Sequence, residues 1–185
     1  MDKALKENLL HRMEGALGAL HKEFNAVRTG RASLALLEGI TVDYYNTPTP
    51  LQQVAALSVP ESRLIMIQPW EPKMLGEIER AILKSELGLT PANDGKVIRL
   101  SIPALTEERR RELVKVVKKK AEEARVSIRN IRRDVNESVK KLEKERHGSE
   151  DEVKKTTEEV QKLTDAHIRK IDEVLEAKEK DIMEV

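Results

Sequence analysis

This 185-residue chain has no cysteine and only four aromatic residues, Phe24, Tyr44, Tyr45 and Trp70. The first absence excludes a disulfide scaffold, a thiolate metal site and a cysteine nucleophile, and it fits a reducing compartment. The second argues against sequence-tolerant binding of single-stranded nucleic acid, which stacks bases on aromatic rings. No apolar run approaches the length of a membrane span. The opening Met1-Asp2-Lys3-Ala4-Leu5-Lys6-Glu7 lacks an apolar signal core and contains acids that a transit peptide avoids. The expected compartment is the cytoplasm. Net charge is only +1, so attraction to nucleic acid must come from local clustering. His11, His21, His147 and His167 show no metal-ligand spacing and read as surface or capping residues, and there is no glycine-rich phosphate loop. Asp43 beside Tyr44 and Tyr45 is the best catalytic candidate, but it reads more simply as a half-exposed strand face. Trp70, between Pro69 and Glu71-Pro72, reads as a packing anchor. No catalytic residue, metal or cofactor is expected.

What is abundant is charge, 36% of the chain, laid out on helices. From about Asp2 to Arg28, Leu9, Met13, Leu17, Leu20, Phe24 and Val27 return every three or four residues, as one buried helix face requires. A second helix is expected from Thr106, a plausible N-cap followed by Glu107 and Glu108. It should stop near Lys144, Arg146, His147 and Gly148. Its seam is Leu113, Val117, Ala121, Ala124, Ile128, Ile131, Val135, Val139 and Leu142. Ser149 and Glu152 form a capping-box pattern opening a third helix, with Val153, Val160, Leu163, Ile168, Ile171, Leu175 and Ile182 as its seam. None of the three is apolar enough to stand alone, and short turns make successive helices antiparallel neighbours.

Residues 31–104 read differently. Ile40 to Tyr45, Arg63 to Ile67 and Val97 to Ile102 are β-rich runs. Thr47-Pro48-Thr49-Pro50 cannot be helix interior. Lys73 to Glu86 has helical spacing after Pro72 and is closed by Gly88, and Asn93-Asp94-Gly95 marks a tight turn. The expected fold is α+β. Residues 1–29 and 105–185 form an elongated three-helix bundle, and a small α/β domain, residues 31–104, is inserted between its first and second helices. Linkers at 29–33 and 103–106, containing Gly30, Arg31, Pro103 and Ala104, would then act as a hinge. Gly30→Pro is expected to leave thermal stability nearly unchanged or modestly lowered.

Charge on the second bundle helix is sorted by face. At about 100° per residue from Leu113, the seam spans roughly 0° to 80°. Between Arg109 and Lys144, the residues Arg111, Lys115, Lys118, Arg125, Arg129, Arg132, Arg133 and Lys140 fall between roughly 100° and 200°, interrupted only by Glu122 and Glu143. Glu108, Glu112, Glu123, Asp134 and Glu137 occupy the opposite flank. Such ordered guanidinium groups suit phosphates at fixed positions on folded RNA, read by shape. The competing reading is a solvated basic face with salt bridges to neighbouring helices.

Several segments carry a further signal. Val27-Arg28-Thr29-Gly30-Arg31-Ala32-Ser33, Tyr44-Tyr45-Asn46-Thr47-Pro48-Thr49-Pro50-Leu51, Leu105-Thr106-Glu107-Glu108-Arg109-Arg110, Arg129-Asn130-Ile131-Arg132-Arg133-Asp134 and Gln161-Lys162-Leu163-Thr164-Asp165 together closely resemble the bacterial ribosome recycling factors, over the whole chain. The resemblance implies an L-shaped, tRNA-sized monomer that binds the ribosome after termination, its bundle against large-subunit RNA. GTP-bound elongation factor G then drives subunit separation, with release of mRNA and tRNA. By matching positions, Arg129 and Arg132 would be the principal RNA contacts, with Arg110 and Arg133 supporting and Arg125 and Lys118 on the same flank. A self-associating coiled-coil or chaperone-like protein is the alternative.

Overall fold

In a computed structural model of the chain, residues 1–146 and 149–184 are described, the side chain of Arg146 excepted. The expected helix stop at His147 and Gly148 lies outside these residues. The elements in chain order are α1 (Lys3–Ala26), β1 (Thr41–Tyr44), β2 (Thr47–Pro50), β3 (Ala55–Glu61), β4 (Leu64–Pro69), α2 (Leu75–Lys84), β5 (Pro91–Asn93), β6 (Ile98–Ser101), α3 (Glu107–Arg146) and α4 (Glu150–Met183). They divide into two compact units, Met1–Arg28 with Glu107–Glu184, and Thr29–Thr106.

The first unit is the bundle of α1, α3 and α4, each packed on the other two. At 1.5 Å per residue, the 40 residues of α3 make a rod of about 60 Å. Polar pairs fix the directions. Arg12 meets Asp134 and Glu23 meets Lys120, so α1 and α3 are antiparallel. Lys118 with Glu179, Arg125 with Asp172 and Arg132 with Gln161 make α3 and α4 antiparallel as well. The seam of α3 is buried from Leu113 to Val139, but Leu142 is 43% exposed. The reason is length. Lys3, where α1 begins, lies nine residues before Arg12, so α1 runs out level with a point nine residues past Asp134, beside Glu143. Ser149 does cap α4, its hydroxyl accepting from the Asp151 N–H.

The seam of α4 holds a surprise. Val160, Thr164, His167 and Ile171 are spaced 4-3-4 and all buried. Thr164 Oγ1 satisfies itself by donating to the Val160 carbonyl, 2.8 Å away. His167 Nδ1 lies 2.8 Å from the Leu163 carbonyl oxygen, and its buried Nε2 has no partner among the described residues. His167 is therefore not a surface or capping histidine. It occupies a seam position that a search for apolar residues passes over.

In the second unit, β1 and β2 form a hairpin, and β3, β4, β6 and β5 form an antiparallel sheet in that order. Leu57 pairs with Ile67, Ile67 with Ile98 and Ile65 with Leu100, aligning the apolar rows. α2 packs Ile78 and Ile82 into the same core as Leu37, Val42 and Leu51. Strands β2, β3 and β5 are absent from the sequence reading. β2 carries Pro48 and Pro50, tolerable because it borders only β1. Tyr45 and Asn46 turn between β1 and β2 with φ of 50° and 64°. Gly88 does not close α2. That helix ends at Lys84, where the Ser85 N–H donates to the Ala81 and Ile82 carbonyls, and Gly88 lies in the turn beyond.

The turn at Asn93-Asp94-Gly95 joins β5 to β6, and Asp94 organises it. Its carboxylate accepts from the Val97 and Lys96 N–H groups, both at 2.9 Å, and from Arg99 at 2.6 Å. These donors pull its pKa down to about 2. A carboxyl depressed in the fold contributes stability that is complete above its unfolded pKa and is lost as pH falls toward the folded value. Calorimetric Tm of this unit should therefore fall less in Asp94→Asn than in the parent between about pH 5 and pH 2. Equal acid-side losses would show that the turn carboxylate contributes nothing.

Candidate nucleic-acid interface

The basic flank of α3 borders α4, and α4 supplies acids to it. Arg125, its side chain 19% exposed, uses all three guanidinium nitrogens. Nε and NH2 lie 2.9 and 2.6 Å from Asp172 Oδ1, and NH1 lies 2.9 Å from Glu122 Oε2. Lys118 pairs with Glu179 at 3.6 Å. Arg129 NH1 donates to Glu122 Oε1 at 3.0 Å, and Arg132 NH1 donates to Gln161 Oε1 at 3.2 Å. Arg110 and Arg133 make no ion pair among the described residues. Hydrogen bonds from Arg125 and then Arg129 hold the Glu122 carboxyl below its ordinary range, so it stays ionised.

Part of the charge sorting is therefore internal to the bundle. Arg125 and Lys118 face acids of α4, while Asp134 on the other flank takes Arg12 of α1. What remains for a polyanion is a partly exposed row, Arg129, Arg132 and Arg133, with Arg110 one end of the helix away. Arg129 and Arg132 each commit one nitrogen and keep the rest of the guanidinium open among the described residues. A guanidinium so held can still make a paired contact with a phosphate.

Two further features bear on the sequence reading. The linkers are pinned side by side to the β3–β4 turn: the Ala32 N–H donates to the Ser62 carbonyl and the Ile102 N–H to the Arg63 carbonyl, both at 2.8 Å. Gly30 has φ +76°, and a Cβ there would lie 3.1 Å from Leu105 Cγ. Proline cannot adopt that φ, so Gly30→Pro is not the mild change the sequence suggests. At the β1–β2 turn, the Tyr44 and Tyr45 hydroxyls donate to Glu71 at 2.9 and 3.0 Å. Lys73 completes the cluster on the Tyr45 hydroxyl and Glu71. The Glu71 hydrogen bond pushes the Tyr44 phenol up. Both phenols thus serve Glu71 and form no site with Asp43. Trp70 is 63% exposed and so is not the buried packing anchor expected, although its backbone N–H donates to the Val54 carbonyl. Among the described residues no group of acids and histidines is arranged to hold a metal, and no helix is long and apolar enough to cross a membrane.

Comparison with known proteins identifies the family. The profile of the ribosome recycling factor family matches residues 20–183. A ribosome-recycling factor of Nitratidesulfovibrio vulgaris is 59% identical over 174 residues, 94% of each chain. That of Oleidesulfovibrio alaskensis is 57% identical over the full length of both. A solution structure of a ribosome recycling factor superposes over all of both chains with a TM-score of 0.77 at 45% identity. A second neighbour covers 98% of both chains with a TM-score of 0.65 at 45% identity. It is a T. thermophilus ribosome recycling factor, described with E. coli elongation factor G bound to the E. coli post-termination complex. This chain belongs to the ribosome recycling factor family.

Proposed function

We propose that the protein binds the post-termination ribosome on large-subunit RNA through Arg129, Arg132, Arg133 and Arg110 of α3, with Arg125 and Lys118 bordering that face. With GTP-bound elongation factor G it then promotes separation of the subunits and release of mRNA and tRNA. It acts as a cytoplasmic monomer and makes or breaks no covalent bond, the GTP chemistry belonging to its partner. The observation that carries the RNA reading is the ordered, partly exposed Arg129–Arg132–Arg133 row on a rigid helix. A self-associating coiled coil is disfavoured because the seam of α3 is already filled by α1 and α4 of the same chain. Sedimentation with purified large subunits at two salt concentrations tests it. Binding should weaken steeply with salt, and salt-independent binding would overturn the phosphate reading.

Rotation between the two units belongs to the same proposal. Ala32 and Ile102 are pinned to the β3–β4 turn, so bending falls on the stretches holding Gly30 and Arg31 and holding Pro103 and Ala104. Gly30→Ala combines a left-handed φ with a close approach to Leu105 and should destabilise by about 1 to 2 kcal/mol. It should impair subunit splitting more than large-subunit binding. Equal losses in a splitting assay and a binding assay would argue against a hinge.

A further inference from the structure

Resting on the RNA-binding reading above, we propose that Glu122 is a positioning residue that presents the Arg129 guanidinium to an RNA phosphate, with Arg125 and Asp172 as the anchor behind it. An acid in the middle of a surface meant for a polyanion is otherwise a liability, since it repels the phosphates its neighbours attract.

The geometry supplies the reason to keep it. Asp172 on α4 fixes Arg125 through Nε and NH2, and Arg125 NH1 fixes Glu122 Oε2 at 2.9 Å. The free oxygen, Oε1, accepts from Arg129 NH1 at 3.0 Å. The Asp172–Arg125–Glu122–Arg129 chain thus alternates in sign, running from a clamp between two helices out to one open guanidinium. Arg125 compensates the Glu122 charge, so the repulsion felt by a phosphate at Arg129 is damped. Arg129 spends only NH1 on Glu122, leaving Nε and NH2 for a bidentate contact. Without that hold, a long side chain must be ordered at the moment of binding, and affinity falls.

Coulombic repulsion and positioning predict opposite signs for the same substitution. Glu122→Gln keeps the shape, removes the negative charge and replaces one of the two acceptor oxygens, which Arg125 and Arg129 occupy separately, by an NH2 donor. If Glu122 merely repelled RNA, the variant would bind large subunits more tightly. The positioning role instead predicts weaker binding, by about three- to tenfold, although the protein has become more positive. In an Arg129→Ala background, Glu122→Gln should then add no further loss. In the free protein, side-chain 15N relaxation should show a more mobile Arg129 Nε–H in Glu122→Gln. Tighter binding, an equal loss in both backgrounds, or an unchanged Arg129 relaxation overturns the proposal. If Arg129→Ala itself leaves affinity and salt slope intact, the RNA reading of this residue fails and this inference with it. If Arg129→Ala weakens binding and Glu122→Gln does not, only the positioning role fails.

Discussion

Replacing Arg129 and Arg132 together by alanine should weaken large-subunit binding by on the order of 2 to 6 kcal/mol and lower the slope of log affinity against log salt by nearly two. Each arginine keeps most of its donors open, and each stands to neutralise one phosphate. Neither lies on the apolar seam. Their present partners, Glu122 and Gln161, are exposed, and exposed pairs of this kind contribute only about 0 to 1 kcal/mol each. The bundle should therefore melt within a few degrees of the parent by far-ultraviolet circular dichroism, separating lost contact from lost fold. Glu123→Ala, on the flank toward α1, is the control and should leave the slope unchanged. Should the arginine pair and Glu123→Ala give the same salt dependence, the sorted charge serves only the bundle.

That last possibility shows where reading the sequence reached its limit. A helical wheel of α3 separates basic from acidic residues but cannot say which acids of α4 arrive beside them. Arg125 and Arg129 look equivalent on the wheel. One is a clamp on Asp172 and the other keeps an open guanidinium, a difference made by a residue 47 positions downstream. Periodicity did reveal the three long helices, because a seam tens of residues long leaves few alternatives. It missed Thr164 and His167 because seam positions need not be apolar when a carbonyl one turn back can take the polar atom. In the inserted unit, Ala55 to Glu61 is poor in β-branched residues and Thr47 to Pro50 carries two prolines. Both are strands because partners already in place supply the ladder, a tertiary effect with no local signature.

Ile128→Ala should destabilise the bundle by about 2 to 5 kcal/mol, while Leu142→Ala, at a site in the same apolar register, should cost no more than about 1 kcal/mol. Ile128 is fully buried, between the levels of the Arg125–Asp172 and Arg132–Gln161 contacts that tie α3 to α4. Those contacts and the packing of α1 prevent the helices from closing over the missing carbons, so most of the cavity remains. Leu142 is level with Ala4, in the first turn of α1, and is already 43% exposed, so truncating it opens no closed cavity. Urea unfolding followed by circular dichroism at 222 nm measures both differences. Hydrogen exchange adds a second criterion: if the two units unfold separately, Ile128→Ala should leave the Ile65 and Ile67 amides of the central strand β4 as protected as before, because their core shares no buried residue with the bundle. Faster exchange at those amides would mean that the inserted unit depends on the bundle for its stability. Comparable losses from Ile128→Ala and Leu142→Ala would mean that α3 is packed to its tip, contrary to the register set by Arg12 and Asp134.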